Sequence, residues 1–309
     1  MIDLSKHPPI EWRKAYIPKK SGGKRELIIP GDELKAVQED ILDELYHTED
    51  IEVSYFASGF VPYRNTIHGA KLHDKLSPYI INFDLRNFFP SFDVRKTEEK
   101  LLNSSLGAAK TEYIMRYCTY TENGNVQFPQ GSPASPYLTN IGMLEFDLKA
   151  QSMAIANKFT YSRYADDMTF SMFADSQDSK GFCYNFIYKV RTLVNNYGLE
   201  LNNKKTRICA INSPKAARRV TGVVIRKDGK GYNAPRELRH EARCLCHILW
   251  KKLQEGENHQ DLWPMYRKMK GIIAYSDYLR SWSEEDAATA DPCIDETKYA
   301  FIEGVFNAK

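Results

Sequence analysis

Two adjacent carboxylates, Asp166 and Asp167, lie within Tyr161-Ser-Arg-Tyr-Ala-Asp-Asp-Met-Thr-Phe170, where apolar and polar residues alternate on either side of them. The alternation predicts a β-hairpin carrying the two acids at its tip. Like charges side by side on a tight turn repel each other, and a divalent cation relieves that repulsion. The pair therefore asks for a third carboxylate from another part of the chain. Tyr79-Ile-Ile-Asn-Phe-Asp84 supplies one, because the apolar run reads as a buried strand that ends on an acid. A carboxylate buried at a strand end is costly unless something compensates it. Asp84, Asp166 and Asp167 are thus the expected metal ligands.

The surrounding charge suits a polyanion. The net charge is only +3, but from Lys204 to Lys230 the basic residues Lys204, Lys205, Arg207, Lys215, Arg218, Arg219, Arg226, Lys227 and Lys230 face one acid, Asp228. The first thirty residues add Lys14, Lys19, Lys20, Lys24 and Arg25. Basic stretches flanking an acidic centre are expected to hold a polyanion in place while the acids bind metal, the alternative being an ordinary solvated surface. Six scattered cysteines, without a CxxC pair, fit reduced structural thiols. Neither a membrane span nor a secretory leader is evident, so a cytoplasmic protein is expected.

Elements that would position these groups can be read in order. Residues 16 to 30 predict a hairpin turning at Lys-Lys-Ser-Gly-Gly-Lys and projecting Lys24 and Arg25. Asp32 is read as the N-cap of a helix whose stripe is Leu34, Val37, Ile41 and Leu45. Helical periodicity returns at 94 to 106, 110 to 118 and 180 to 197, and one helix is expected from Tyr137 to about Ala156. Val126 to Pro136 is a rigid loop of small residues and prolines that lets backbone approach a ligand closely. Val220-Thr-Gly-Val-Val-Ile225 reads as a strand with a hairpin partner beyond Asp228-Gly229. The helix 235 to 253 carries a stripe of Leu238, Ala242, Leu245, Leu249 and Leu253 and places Arg236, His240, Arg243, Cys244, His247 and Lys251 on the opposite face. That face is read as lying along a nucleic-acid backbone through Arg236, Arg243 and Lys251. Two other readings are an unpartnered surface and a zinc site at His240, Cys244 and His247 with no evident fourth ligand.

In this order and at these spacings, FDLRNFFPSF around Asp84, FPQGSPASPYLTN, YADD, GLELNNKKT and VTGVVI resemble the successive palm and thumb motifs of a reverse transcriptase. The Val220-Thr-Gly222 tripeptide makes the chain most similar to the bacterial retron type, although Gly69-Ala-Lys-Leu-His73 stands where retron enzymes carry Asn-Ala-x-x-His. The resemblance implies an α+β fold of right-hand polymerase architecture: fingers, a palm with an antiparallel sheet and helices on one face, and a mainly helical thumb. Fingers and palm would span 1–217 and the thumb 218–309.

It also implies roles. Asp84 and Asp166, assisted by Asp167, would hold two Mg²⁺ ions for phosphoryl transfer. Lys205 would protonate the leaving pyrophosphate, its neighbour Lys204 being the obvious rival. Phe89 would exclude a ribose 2′-hydroxyl, Gln130 and Gly131 would contact the incoming nucleotide and template, and Lys24 and Arg25 would bind the triphosphate. His73 would contact RNA, with a structural histidine as the alternative. Expected partners are dNTPs, a structured non-coding RNA serving as template and primer, the branched RNA–DNA product, and an effector protein of an anti-phage system, with no membrane involved. A length of 309 residues leaves no room for an RNase H or endonuclease domain. Other bacterial reverse transcriptases of the group II intron kind, an idle RNA-binding scaffold and a metal-dependent nuclease are the competing readings.

Overall fold

A computed structural model describes residues 2–19, 22–173, 180–213, 217–283 and 294–307. Lys20, Lys215, Cys293 and most of the acidic stretch from 283 to 296 lie outside the described residues. The chain divides into two compact units, one of Met1–His73 with Ile81–Ile208, the other of Asp74–Ile80 with Cys209–Lys309.

The first unit opens with an antiparallel pair, β1 (Trp12–Pro18) and β2 (Lys24–Pro30), with Pro18 opposite Lys24. Its turn uses Gly22 and Gly23 at φ 86° and 77°, a conformation glycine adopts without a Cβ penalty. Helix α1 (Asp32–His47) buries Leu34, Val37, Ile41 and Leu45, as the 3.6-residue spacing requires. Gly31 rather than Asp32 occupies its N-cap, so Asp32 acts as an acid in the first turn, where it favours the helix dipole. Helix α2 (Thr66–Lys71) follows a loop, and β3 (Tyr79–Asp84) leads into the short α3 (Phe88–Ser91).

Helices α4 (Arg95–Leu102) and α5 (Gly107–Cys118) and the strands β4 (Tyr120–Glu122) and β5 (Asn125–Gln127) come next. The single helix expected from Tyr137 to Ala156 is two, α6 (Ser135–Gly142) and α7 (Leu144–Ala156), broken at Met143. At Gly142 a Cβ would meet Thr97 Oγ1 at 2.5 Å and Phe92 Cζ at 2.6 Å, so the missing side chain lets α6 press against α4. The hairpin β6 (Phe159–Tyr164) and β7 (Asp167–Met172), helix α8 (Lys180–Asn196) and β8 (Arg207–Ala210) complete a four-stranded sheet in the order β6-β7-β3-β8. Aromatic contacts fill its core: Phe170 meets Phe83 edge-on, and Phe159 stacks on Phe186 with ring centroids 4.1 Å apart.

In the second unit the expected strand 220–225 is a hairpin of its own. β9 (Arg219–Val220) pairs antiparallel with β10 (Val223–Ile225), and β10 pairs in turn with β11 (Tyr232–Asn233). Thr221 and Gly222, at φ 48° and 85°, make the turn between them, the pattern of a two-residue loop with both central residues left-handed. Helices α9 (Arg236–Gln254), α10 (His259–Arg280) and α11 (Glu296–Asn307) share a core of Ala242, Cys246, Leu249, Tyr266, Met269, Ile302 and Phe306. Leu245 and Leu253 pack at its margin. Arg236, His240, Arg243, Cys244, His247 and Lys251 stand exposed on the far face, as the helical spacing predicts. Among the described residues no helix is long and apolar enough to cross a membrane.

Candidate active site

Asp84 ends β3 and is 5% exposed. The acid pair is brought to it by the β6–β7 hairpin, whose last ladder pair is Tyr164 and Asp167, leaving Ala165 and Asp166 as the turn. Ala165 takes φ 51°, which a two-residue hairpin turn demands of a non-glycine residue only at some cost. One backbone bond joins the two halves of the site, since Leu85 N–H donates to the Asp166 carbonyl at 2.9 Å. A third segment lies alongside: Asn202 N–H donates to the Asp84 carbonyl at 2.7 Å, and Arg86 N–H donates to the Glu200 carbonyl at 2.8 Å. Glu200 to Lys205 is thereby aligned so that Asn202 Nδ2 reaches Asp84 Oδ2 at 3.1 Å and Lys205 Nζ reaches Asp84 Oδ1 at 2.5 Å.

Lys205 holds Asp84, whereas Lys204 is exposed and makes no ion pair among the described residues. Bonding to Asp84 raises the Lys205 pKa, so its ammonium stays protonated at neutral pH. The Asp166 carboxyl is pushed above its ordinary range chiefly by loss of hydration, with the Asp84 charge adding to it, against the pull of a hydrogen bond from its own backbone N–H and of Lys205 and Arg25. Asp167 is pushed up to about 6, again by desolvation and then by Asp166 and Asp84. Three acids with a single close ammonium form a site short of positive charge.

The donor set suits a hard divalent cation. Among the described residues no three acidic, imidazole or thiol side chains converge closely enough to enclose a metal by themselves. An open set of carboxylates is nonetheless what Mg²⁺ accepts, because it keeps waters and takes further oxygens from substrate phosphates. Asp84, Asp166 and Asp167 would hold it. The His240-Cys244-His247 face gathers no such set; Cys244 Sγ only approaches His240 Nε2 at 3.6 Å.

Other expected residues take definite places. Lys24 and Arg25 are exposed at the start of β2, and Arg25 lies near enough to act on the Asp166 charge. Phe89, in α3, is half-buried with its ring 5.5 Å from that of Phe88. Gln130 and Gly131 lie against β2: Ile28 N–H donates to the Gln130 carbonyl at 2.7 Å, and a Cβ on Gly131 would stand 2.7 Å from the Ile28 carbonyl oxygen. With φ at 127° as well, position 131 admits only glycine without a shift of the loop.

His73 is a correction. It is 2% exposed, and its ring nitrogens bond Ser171 Oγ and Ser162 Oγ, each at 2.7 Å, so it cannot reach an RNA. Burial holds it neutral, with its pKa lowered to about 3. The basic run is corrected too. Arg218 is buried and donates to the Ser77 and Arg226 carbonyls, Arg219 pairs with Glu237, and Arg226 pairs with Asp228. Counting acids only inside the run left out Glu237, which lies beyond it.

The residues that sequence reasoning passed over stand behind the hairpin. Arg163 and Asp147 are both fully buried and meet through two parallel bonds, Nε to Oδ1 at 2.8 Å and Nη2 to Oδ2 at 2.7 Å. Arg163 Nη1 donates to Asn140 Oδ1 at 3.0 Å and to the Ala165 carbonyl at 3.2 Å, which is the turn residue beside Asp166. Tyr161 adds a hydroxyl bond to Asp147 Oδ1 at 2.7 Å. An arginine in the middle of a strand was the available signal, since it must find a buried acid; which acid is a tertiary matter.

Residues 17–272 match the family model described as reverse transcriptase (RNA-dependent DNA polymerase). The chain is 32% identical over 242 residues to the Retron Ec83 reverse transcriptase of Escherichia coli, covering 74% of this chain and 72% of that protein. It is 29% identical over 296 residues to the Retron Mx162 reverse transcriptase of Myxococcus xanthus, 89% of this chain but only 58% of the relative's length. Among solved structures, the apo telomerase of Candida tropicalis truncated from its C-terminal domain aligns with a TM-score of 0.48 at 13% identity, over 72% of this chain and 55% of that one.

Proposed function

This chain belongs to the reverse transcriptase (RNA-dependent DNA polymerase) family, in its retron type, and from that premise we propose that it copies a structured non-coding RNA into DNA with dNTPs, using Mg²⁺. The observation that carries the reading is the joining of Asp84 to the Asp166 turn through the Leu85–Asp166 backbone bond, with Lys205 laid on the same carboxylate. Two bound Mg²⁺ ions would supply charge neutralisation for attacking and leaving oxygens at phosphorus.

The chain's own part is positioning, as phosphoryl transfer requires. Asp84 and Asp166 present hard oxygens from two strands held in register, and Asp167 adds a third from the next position. Lys205 carries a proton at neutral pH and gives it to the departing pyrophosphate. Lys24 and Arg25 bind the triphosphate, and Gln130 and Gly131 shape the wall that the nucleotide meets. In this reading 1–217 are fingers and palm and 218–309 the thumb, with Arg236, Arg243 and Lys251 along the nucleic-acid backbone. The product would be branched RNA–DNA that serves, with an effector protein, in defence against phage.

The deciding experiment gives purified protein its co-purifying RNA, Mg²⁺ and labelled dNTPs. A DNA product that stays linked to the RNA is expected; no DNA would overturn the reading, and degraded RNA would make the protein a nuclease. Phe89→Ala is expected to raise ribonucleotide incorporation, measured as the ratio of dNTP to rNTP use, because the half-buried ring follows Asp84 by five residues, where the family resemblance puts the residue that excludes a 2′-hydroxyl. An unchanged ratio removes Phe89 from sugar selection. Arg243→Ala is expected to weaken binding of primer–template and to reduce the slope of log affinity against log salt by about 0.9 if one phosphate contact is lost. An identical slope would mean that this face of α9 does not touch the backbone.

A further inference from the structure

The segment from Ser54 to Asn65 carries two aromatic residues in a backbone conformation that bulky L side chains avoid. Phe60 has φ 58° and Tyr63 has φ 62°. Tyr63 is fully exposed and Phe60 is 49% exposed, so neither strained residue is compensated by burial.

The loop is nonetheless firmly tied. Arg64 Nη1 donates to the Ser54 carbonyl at 2.5 Å and the Ala57 carbonyl at 2.9 Å, and Asn65 Oδ1 caps α2 by accepting from Ile67 N–H at 3.1 Å and His68 N–H at 3.3 Å. Arg163 N–H donates to the Phe56 carbonyl and Ser58 N–H to the Arg163 carbonyl, both at 2.8 Å. Asn140 Nδ2 donates to the Gly59 carbonyl at 2.8 Å. Gly59 lies flat on the Tyr164 ring, where a Cβ would come within 2.9 Å of Cγ, and the Phe60 ring is 5.7 Å from that of Tyr164. Tyr164 is the ladder partner of Asp167. Two rings, Tyr164 and Phe60, therefore lead outward from the acid-bearing turn, and Tyr63 stands exposed three residues further along the same tied loop.

We propose that this loop is a stacking shelf for nucleobases, with Phe60 and Tyr63 receiving unpaired or terminal bases of the strand that passes the catalytic turn. The inference rests on the polymerase reading above. A base offers a π-face whatever its sequence, and an aromatic ring held in water at fixed orientation is a platform for it.

The test places fluorescent aminopurine at successive positions of either the RNA template or the DNA primer in an annealed pair, without dNTPs or metal. Quenching at one position is expected with the wild-type protein, and the strand that carries it identifies the occupant. Tyr63→Leu and Phe60→Leu, which keep apolar bulk but lose the ring, should abolish that quenching and weaken binding about 5- to 100-fold; Tyr63→Trp, which keeps a ring, should retain it. Full quenching and unchanged affinity in both leucine variants, with circular dichroism unaltered, would overturn the shelf. A wild-type protein that extends primers yet quenches neither strand overturns the shelf alone; one that binds no primer–template overturns it together with the polymerase reading.

Discussion

Asp84→Asn and Asp166→Asn are each expected to lower single-turnover DNA synthesis by about a thousandfold or more, which corresponds to roughly 4 kcal/mol of lost transition-state stabilisation. The substitution keeps shape and removes the negative charge that a divalent cation needs. Folding should survive it. The Asp166 carboxyl is already pushed above its ordinary range, chiefly by burial, so its ionised form is disfavoured in the folded protein and a neutral amide relieves that cost. The sign is specific: a folded-state pKa above the unfolded value means the charge costs stability at neutral pH and the cost fades as pH falls. Asp166→Asn should thus melt at the same temperature as the parent or higher at neutral pH, and still bind primer–template. Asp84→Asn leaves Lys205 without its partner and should show a small loss instead. Full DNA synthesis in either variant would remove that acid from metal binding.

The second large effect lies in the buried pair behind the turn. Asp147→Leu or Arg163→Met alone is expected to destabilise the first unit by about 3–5 kcal/mol, since each leaves an uncompensated charge in a site from which water is excluded. For a unit of this size that is a fall of roughly 10 °C in melting temperature. The double variant Asp147→Leu/Arg163→Met should recover much of the loss, because removing both charges removes the desolvation cost as well. DNA synthesis should not recover with it: Arg163 also holds the Ala165 carbonyl, and without that bond the Asp166 turn is no longer pinned from behind. Thermal unfolding and primer extension on the three variants check both halves. A double variant less stable than either single would show that the pair contributes net stability, and full activity in it would show that Arg163 does not position the turn.

Much of this protein was legible in its residues. The β6–β7 hairpin followed from alternation around two acids, α1 and α9 followed from apolar spacing of 3.6, and Asp84 followed from an apolar run ending on a carboxylate, because each pattern is complete within a window of a few residues. The family was indicated by resemblance, through the order of five motifs, FDLRNFFPSF, FPQGSPASPYLTN, YADD, GLELNNKKT and VTGVVI.

What the windows could not hold was the identity of distant partners. That Lys205 and not Lys204 meets Asp84 depends on the backbone register of Asn202 against β3, more than a hundred residues apart in sequence. That Arg163 is paired, that His73 is sealed between two serines, and that Glu237 draws off Arg219 all depend on which side chains folding brings together. Local sequence sets backbone conformation and the face each residue presents, whereas burial and charge pairing are properties of the packed chain, where water is excluded and every polar group must find its partner.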